Sequence, residues 1–317
     1  MLVREFVSLG VFLAFILAVY IKEGQLISGL VLHKVRRKEG PSGFLSKPAI
    51  AVHILAAAGI LCFLYGLLIE PHWIEVKRVE IESGKLSRAS LRIVQLSDLH
   101  TDPKGTNEKK VIEAVNALKP DIIVFTGDAV NSPKSLPVFK KTLKSLKANI
   151  GKYAVTGNFD YWFLRGLDLF GGTGFVALDG RIERIDKDGD IFFISGLNFE
   201  HGGHWFPVLK NVPRGYYSIF LYHKSDLIED LKGVNVDLYL TGHTHGGQVA
   251  LPFYGAIITL SKYGKRYEAG EYKVGNTVLY VNRGIGTEGK AGVRVRFMVR
   301  PEITVFDIKP ARPAAKK

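Results

Sequence analysis

Four short clusters and one lone histidine carry the side chains of this sequence that can act together: Asp98-Leu99-His100, Gly127-Asp128, Gly157-Asn158-Phe159-Asp160, His223, and Gly242-His243-Thr244-His245. Singly, each has an ordinary explanation. Asp128 after a glycine would cap a following helix, and His223 would be a hydrogen-bonded core histidine. As a set, Asp98, His100, Asp128, Asn158, His223, His243 and His245 supply nitrogen and oxygen donors without a thiolate. Manganese, iron or zinc in a hydrolytic centre prefers such donors, whereas a structural zinc prefers cysteine. The only cysteine is Cys62, so a cysteine-based zinc site and an intramolecular disulfide are both excluded. One carboxylate shared by two cations, each with three further ligands, holds metals about 3.5–4 Å apart and suits in-line displacement at phosphorus.

Residues so far apart need a fold that returns them to one place. From Leu91 the sequence runs in short apolar stretches that each end at one of the clusters: LRIVQLS before Asp98, DIIVFT before Gly127, YAVT before Gly157, YSIFLY before His223 and DLYLT before Gly242. Such runs, rich in Ile, Val, Phe and Tyr, predict buried strands. Val111, Ile112, Val115 and Leu118 predict a helix over 107–118, closed by Lys119-Pro120, and Leu136, Phe139, Leu143 and Leu146 predict a second. The order β-α-β-α-β implies parallel pairing by crossover, which ends consecutive strands at one sheet edge, where α/β sheets place their sites. The second half reads as more antiparallel, with a hairpin turn at Asp188-Gly189-Asp190 and strands near 191–195, 277–282 and 302–307.

In this order the five clusters resemble the calcineurin-like metallophosphoesterases, whose members carry Asp-x-His, Gly-Asp, Gly-Asn-His-Asp/Glu, a lone His and Gly-His-x-His. The likeness covers residues 91–308. It is greatest to a membrane-anchored cell-envelope subgroup, through GHTHGGQ at 242–248, YVNRGIG at 280–286 and RPEI at 300–303. That subgroup includes hydrolases of UDP-diacylglucosamine in lipid A synthesis. The resemblance implies an α/β four-layer sandwich, two mixed β-sheets flanked by helices, after N-terminal membrane helices. It implies two divalent metal ions, manganese first and iron or zinc as alternatives: Asp98, His100 and His245 would hold one, Asn158, His223 and His243 the other, and Asp128 would bridge. A water activated between them would attack as hydroxide. The chain departs from the pattern at Phe159, which stands where the family has histidine and can neither donate a proton nor bind a phosphate oxygen. The catalytic acid is therefore unknown. His201 and His204, in NFEHGGHW, are possible substitutes, although surface histidines without a role are the plainer reading.

The N-terminal seventy residues have a different character. Residues 49–69 run without a charge and are long enough to span a hydrocarbon core of about 30 Å. Residues 6–21 are as apolar but shorter, which leaves a spanning helix, an interfacial anchor and a signal sequence open, the last fitting least because no small-residue cleavage site follows. Six Lys/Arg lie in 22–48, against Arg4, Lys77, Arg78, Lys85 and Arg88 on the other side, so the membrane side of the catalytic domain stays open. The domain plan is an anchor over 1–70, a metallophosphoesterase domain over 71–308 and a disordered basic tail over 309–317. The formal charge of +13 suits anionic lipid headgroups or a phosphorylated substrate and is equally explained as solvated surface, while the absence of a basic stripe interleaved with aromatics argues against nucleic acid. Trp162 and Trp205 are placed to wall an acyl chain or simply to pack. Together these features predict a membrane-anchored phosphoesterase that hydrolyses a phosphodiester or pyrophosphate in a lipid or lipid-nucleotide. The alternative is a metal-binding envelope protein with little turnover, because Phe159 replaces the histidine.

Overall fold

A computed structural model describes residues 2–36, 43–231, 233–288 and 294–311. Two apolar helices come first, α1 (Leu2–Val35) and α2 (Lys47–Leu68). The Tyr20 hydroxyl donates to the Ala56 carbonyl at 3.0 Å and Glu23 meets His53 at 2.6 Å, so numbers rise along one helix as they fall along the other and the pair is antiparallel. The apolar stretch at 6–21 is thus part of a 34-residue helix. Both helices are long and apolar enough to cross a membrane by length and composition. Their ends near the folded domain are tied to it: the buried Glu5 accepts from Thr259 Oγ1 at 2.8 Å, and Glu70 accepts from the Met298 and Val299 amides.

Among the described residues, fourteen strands follow in chain order. β1 (Glu75–Ser83), β2 (Leu91–Leu96), β3 (Ile122–Thr126), β4 (Gly151–Val155) and β5 (Val176–Ala177) precede β6 (Ile182–Lys187), β7 (Asp190–Gly196), β8 (Tyr217–Leu221) and β9 (Leu238–Thr241). Then come a small hairpin of β10 (Ala250–Leu251) and β11 (Gly255–Ala256), the pair β12 (Gly270–Val274) and β13 (Thr277–Val281), and β14 (Glu302–Pro310). One six-stranded sheet has the order β1-β14-β2-β3-β4-β5, the other β12-β13-β9-β8-β7-β6. β2, β3, β4 and β5 are parallel, with α3 (Glu108–Ala117) and α4 (Leu136–Ser145) in the first two crossovers, as the periodicity predicts.

The second half is antiparallel only in part: β14 runs antiparallel to β2, but the second sheet is mixed. Its outer pairings β6–β7 and β12–β13 are antiparallel, but β7, β8, β9 and β13 run parallel. The stretches 197–216 and 222–237 are long enough to return each strand to the same edge, as parallel pairing requires. The β6–β7 hairpin turns at Asp188-Gly189, with φ of 50° and 89°, the geometry of a tight primed turn. At the other end β14 runs to Pro310, so Lys309 and Pro310 belong to the sheet rather than to a tail; Lys309 also pairs with Glu80 at 2.7 Å. Residues 312–317 lie outside the described residues.

The layers follow from alternation along each strand. Ile93, Ile122, Val124, Ile194, Ile219 and Leu240 pack between the two sheets. Val94, Ile123 and Phe125 face the opposite way, onto Val111 and Val115 of α3 and Phe139 and Leu143 of α4. Tyr239 and Leu279 lie on the outer face of the second sheet with Leu209 of α6 (Trp205–Leu209). Burial on both faces is why these strands read as continuous apolar runs. Helices, sheet, sheet and helices therefore make four layers, and Gln95 ties the sheets at their carboxyl edge by donating to Thr126 Oγ1 at 3.0 Å and the Thr241 carbonyl at 2.9 Å.

Candidate metal centre

Each sequence cluster begins where a strand of this edge ends: Asp98 and His100 after β2, Asp128 after β3, Asn158 after β4, His223 after β8, and His243 and His245 after β9. Parallel pairing brings them together. Asp98, His100 and His245 offer one ligand atom each within 4.8 Å of one another, and so do Asp98, Asp128 and His223. Asp128 Oδ2 lies 3.6 Å from His100 Nε2 and 3.3 Å from His223 Nε2, between the two groups. The His243 ring is 5.2 Å from that of His223. Asn158 opens α5 (Asn158–Phe163), directly before Phe159, whose N–H donates to Asp128 Oδ1 at 2.8 Å. Five of the seven predicted residues form these two groups, His243 lies beside His223, and Asn158 is next in the chain to a residue bonded to Asp128. A surface cavity of about 830 Å³ lies at the amino ends of β9 and β13 against Asp237 and Thr277 and shares none of them.

The backbone is bent to make this cluster. Asp98, His100, Asp128, His243 and His245 have φ of 48°, 40°, 59°, 71° and 51°. Such positive values are uncommon away from glycine and concentrate at functional sites. Close approach accounts for two glycines of the motifs. A Cβ on Gly157 would stand 2.1 Å from Asp128 Oδ1, and one on Gly242 would stand 1.9 Å from Ser97 Oγ and 2.1 Å from Asp98 Oδ2. Asp160 fastens the loops by accepting from the Gly157, Asp128 and Ala129 amides at 2.8–2.9 Å.

The donor chemistry fits divalent cations. His100 Nδ1 and Nε2, Asn158 Oδ1, His223 Nε2 and His245 Nε2 are buried without a hydrogen-bond partner, although buried polar atoms are nearly always paired. His223 Nδ1 lies 2.6 Å from the Thr126 carbonyl, which can only accept, so Nδ1 carries a proton and Nε2 is the ring atom turned to the carboxylates, free to bind a cation once it is deprotonated. Burial penalises ions here and pushes Asp98 up to about 7, His100 down to about 4 and His243 down to about 3. Against the same burial, His223, His100 and His243 hold Asp128 well below the usual carboxylate range, and Asp128 and Asp98 raise His223 to about 9. His245 is kept neutral by burial, by His100 and by Arg296, a fully buried guanidinium whose Nη2 lies 3.3 Å from His245 Nδ1. Neutral rings and ionised carboxylates are the forms that bind metal.

Phe159 is built into the core, 2% exposed, with its ring edge-on to His100 at 5.1 Å and 4.6 Å from Phe163. His201 is exposed and bound to Asp179 at 2.8 Å, and His204 lies beside it. Of the two tryptophans, Trp205 is partly buried in the outer core, whereas Trp162 is 55% exposed on α5. Sequence reasoning missed Asp160 as a backbone clamp, Ser97, which donates to Asp98 Oδ2 at 2.5 Å, and Arg296. Ser97 is adjacent to its partner and could have been noticed. Nothing in sequence spacing connects Arg296 to His245.

Residues 91–247 match the calcineurin-like phosphoesterase family. The metallophosphoesterase YkuE of Bacillus subtilis is 35% identical over 88% of this chain and 99% of its own. The chain is a calcineurin-like metallophosphoesterase. A transmembrane protein with a metallophosphoesterase domain from Danio rerio is 28% identical over 97% of this chain and 73% of its own. The UDP-2,3-diacylglucosamine pyrophosphatase LpxG of Chlamydia muridarum is 26% identical over 81% of this chain and 96% of its own. This metallophosphoesterase is accordingly a metal-dependent hydrolase of phosphoesters, with candidate ligand groups for the family's divalent ions.

Proposed function

We propose that this chain is a membrane-anchored phosphoesterase that cleaves a phosphodiester or pyrophosphate bond in a lipid or lipid-nucleotide. The observation that carries this reading is the joint between the apolar hairpin and the metal centre. The Arg296 N–H donates to the Gly66 carbonyl of α2 at 2.9 Å while its guanidinium lies against His245, so one residue spans helix and ligand cluster. A reaction centre held that close to a spanning helix meets substrates at the bilayer surface. The pyrophosphatase LpxG, whose name specifies a diacylated nucleotide sugar, supports the same substrate class.

In this reading Asp98, His100 and His245 hold one cation, manganese in the first instance, Asn158, His223 and His243 hold the other, and Asp128 lies between them. Two bound cations would supply Lewis acidity, lowering the pKa of water and neutralising the phosphate oxygens. The chain's own residues hold that arrangement. The Thr126 carbonyl fixes the His223 tautomer, Ser97 and the His243 amide orient Asp98, and Asp160 fixes the backbones of Asp128 and Gly157. Phe159 supplies no proton to a leaving group, which favours esters whose leaving oxygen is already acidic, such as a nucleotide phosphate. The test is turnover by the detergent-solubilised full chain with manganese on diesters, monoesters and lipid-linked pyrophosphates. Preference for lipid-linked pyrophosphates or diesters is expected; hydrolysis confined to soluble monoesters would overturn the reading.

A further inference from the structure

We infer that a crevice between the apolar hairpin and the catalytic domain receives an acyl chain of the lipid whose phosphoester the metal centre cleaves, an inference that rests on the function proposed above. The crevice has a volume of about 550 Å³, within the range of ~300–1,000 Å³ typical of ligand sites, and none of its lining residues is charged. Leu13 and Ile16 of α1, Ile60 and Phe63 of α2, and Val249 and Phe297 of the domain form its walls.

Three observations point to a hydrocarbon tail from the bilayer rather than a soluble ligand. The first is chemical. The Tyr20 hydroxyl in the wall is already committed to the Ala56 carbonyl, so a polar ligand entering here would lose its hydrogen bonds to water. The second is access. Leu13 and Ile60 are 54% and 50% exposed, and in a bilayer these helix faces meet lipid, which can enter sideways without crossing water. The third is continuity with the metal centre. The domain wall consists of two extended stretches joined by hydrogen bonds: the Ala250 N–H donates to the Phe297 carbonyl and the Phe297 N–H to the Gln248 carbonyl, both at 2.9 Å. Val249 lies four residues after His245. Val295 lies between Arg294, ion-paired at 2.6 Å with Asp102 two residues past His100, and Arg296, which touches His245. The stretches that wall the crevice thus adjoin the ligand cluster at His245, so a tail in the crevice would have its headgroup toward that cluster. Beside it, the β10–β11 hairpin presents a fully exposed Phe253 next to Tyr254, whose hydroxyl meets Ser8 of α1 at 2.7 Å, an aromatic placement suited to a membrane interface.

The experiment uses the full chain in detergent with manganese and compares nitrophenyl phosphodiesters carrying long or short acyl chains with a soluble nitrophenyl diester. In the parent, kcat/KM should rise with acyl length. Ile60→Trp, which fills the crevice, should lower the ratio of long-chain to soluble-diester kcat/KM tenfold or more, and Leu13→Trp should do the same from the other helix. Leu61→Trp, on the outward face, should keep the parent ratio. Long-chain substrate should also slow alkylation of Cys62, the chain's only cysteine and part of the crevice wall, by N-ethylmaleimide. Absence of turnover on every diester and on a lipid-linked pyrophosphate would sink the functional reading. Turnover of the soluble diester with no dependence on acyl length, or length dependence that survives both crevice-filling variants, would overturn the crevice alone. Protection of Cys62 without length-dependent turnover would also overturn it, since the occupant would then be a lipid other than the substrate.

Discussion

Phe159→His separates metal-centred attack from protonation of the leaving group. Phe159 packs at 4.6 Å on Phe163 and edge-on against His100, and it is almost fully buried. Exchange for imidazole removes apolar contact and introduces two ring nitrogens into the core, which should cost roughly 2–4 kcal/mol of stability. The same geometry places the new ring beside a ligand of the cluster, where it can give a proton. The rate on poor leaving groups should therefore rise tenfold or more, toward the ~10²–10⁴-fold range of a positioned general acid, while acidic leaving groups change little. The assay is kcat/KM for a series of diesters of graded leaving-group pKa, with the full chain in detergent and manganese, and Phe159→Leu as the control for lost packing. The dependence on leaving-group pKa should flatten in the histidine variant and stay steep in the leucine variant. A folded Phe159→His protein that keeps its metal and shows the parent's steep dependence would mean that a proton donor at this position does not reach the leaving group.

Metal binding should be pH-dependent. Asp98, raised to about 7, and His223, raised to about 9, must give up protons to bind cations, so manganese affinity should climb between about pH 6 and 9 with proton release measurable by calorimetry in buffers of different ionisation enthalpy. Asp190 accepts from the Ala89, Arg88 and Ser87 amides at 2.7–3.1 Å, which hold its carboxyl well below the usual range. Its contribution is present above the unfolded value of about 4 and is lost as pH falls toward the folded value. Asp190→Ala should thus destabilise by ~1–3 kcal/mol at neutral pH in chemical denaturation, with the difference from the parent shrinking below about pH 4. A Gly157→Ala variant should lose metal and activity together, because its Cβ would collide with the Asp128 carboxylate, and retention of full metal content would contradict that account.

The metal cluster was legible in the sequence because each group of ligands directly follows an apolar run, and parallel pairing needs no side-chain detail to bring strand ends together. The first sheet and its crossover helices were legible for the same reason, through two-sided burial and helical spacing. The centre of the second sheet was not. β8 and β9 are separated by coil and short helical turns with no strong period, so the crossovers that make them parallel leave little trace. Lys309 and Pro310 read as tail by composition, yet pairing with Glu82 and Ser83 keeps both in β14. Arg296 and the bent backbone of the ligands were invisible because both depend on long-range contacts: a buried guanidinium is recognisable only once the Arg283 and Gly286 carbonyls that accept from it are in place. The continuous α1 was hidden by Lys22 and Glu23, which interrupt the apolar run without interrupting the helix.

Two cations held by Asp98, His100, Asp128, Asn158, His223, His243 and His245 are the centre of this account. Their most direct test is the metal content of the purified full chain after manganese loading, beside Asp128→Asn and His100→Ala. Two equivalents per chain are expected in the parent, with reduced occupancy of both sites in Asp128→Asn and loss of about one equivalent in His100→Ala. A parent that binds no metal would contradict the centre itself, and equal loss from both sites in the two variants would contradict the assignment of Asp128 as the ligand between them.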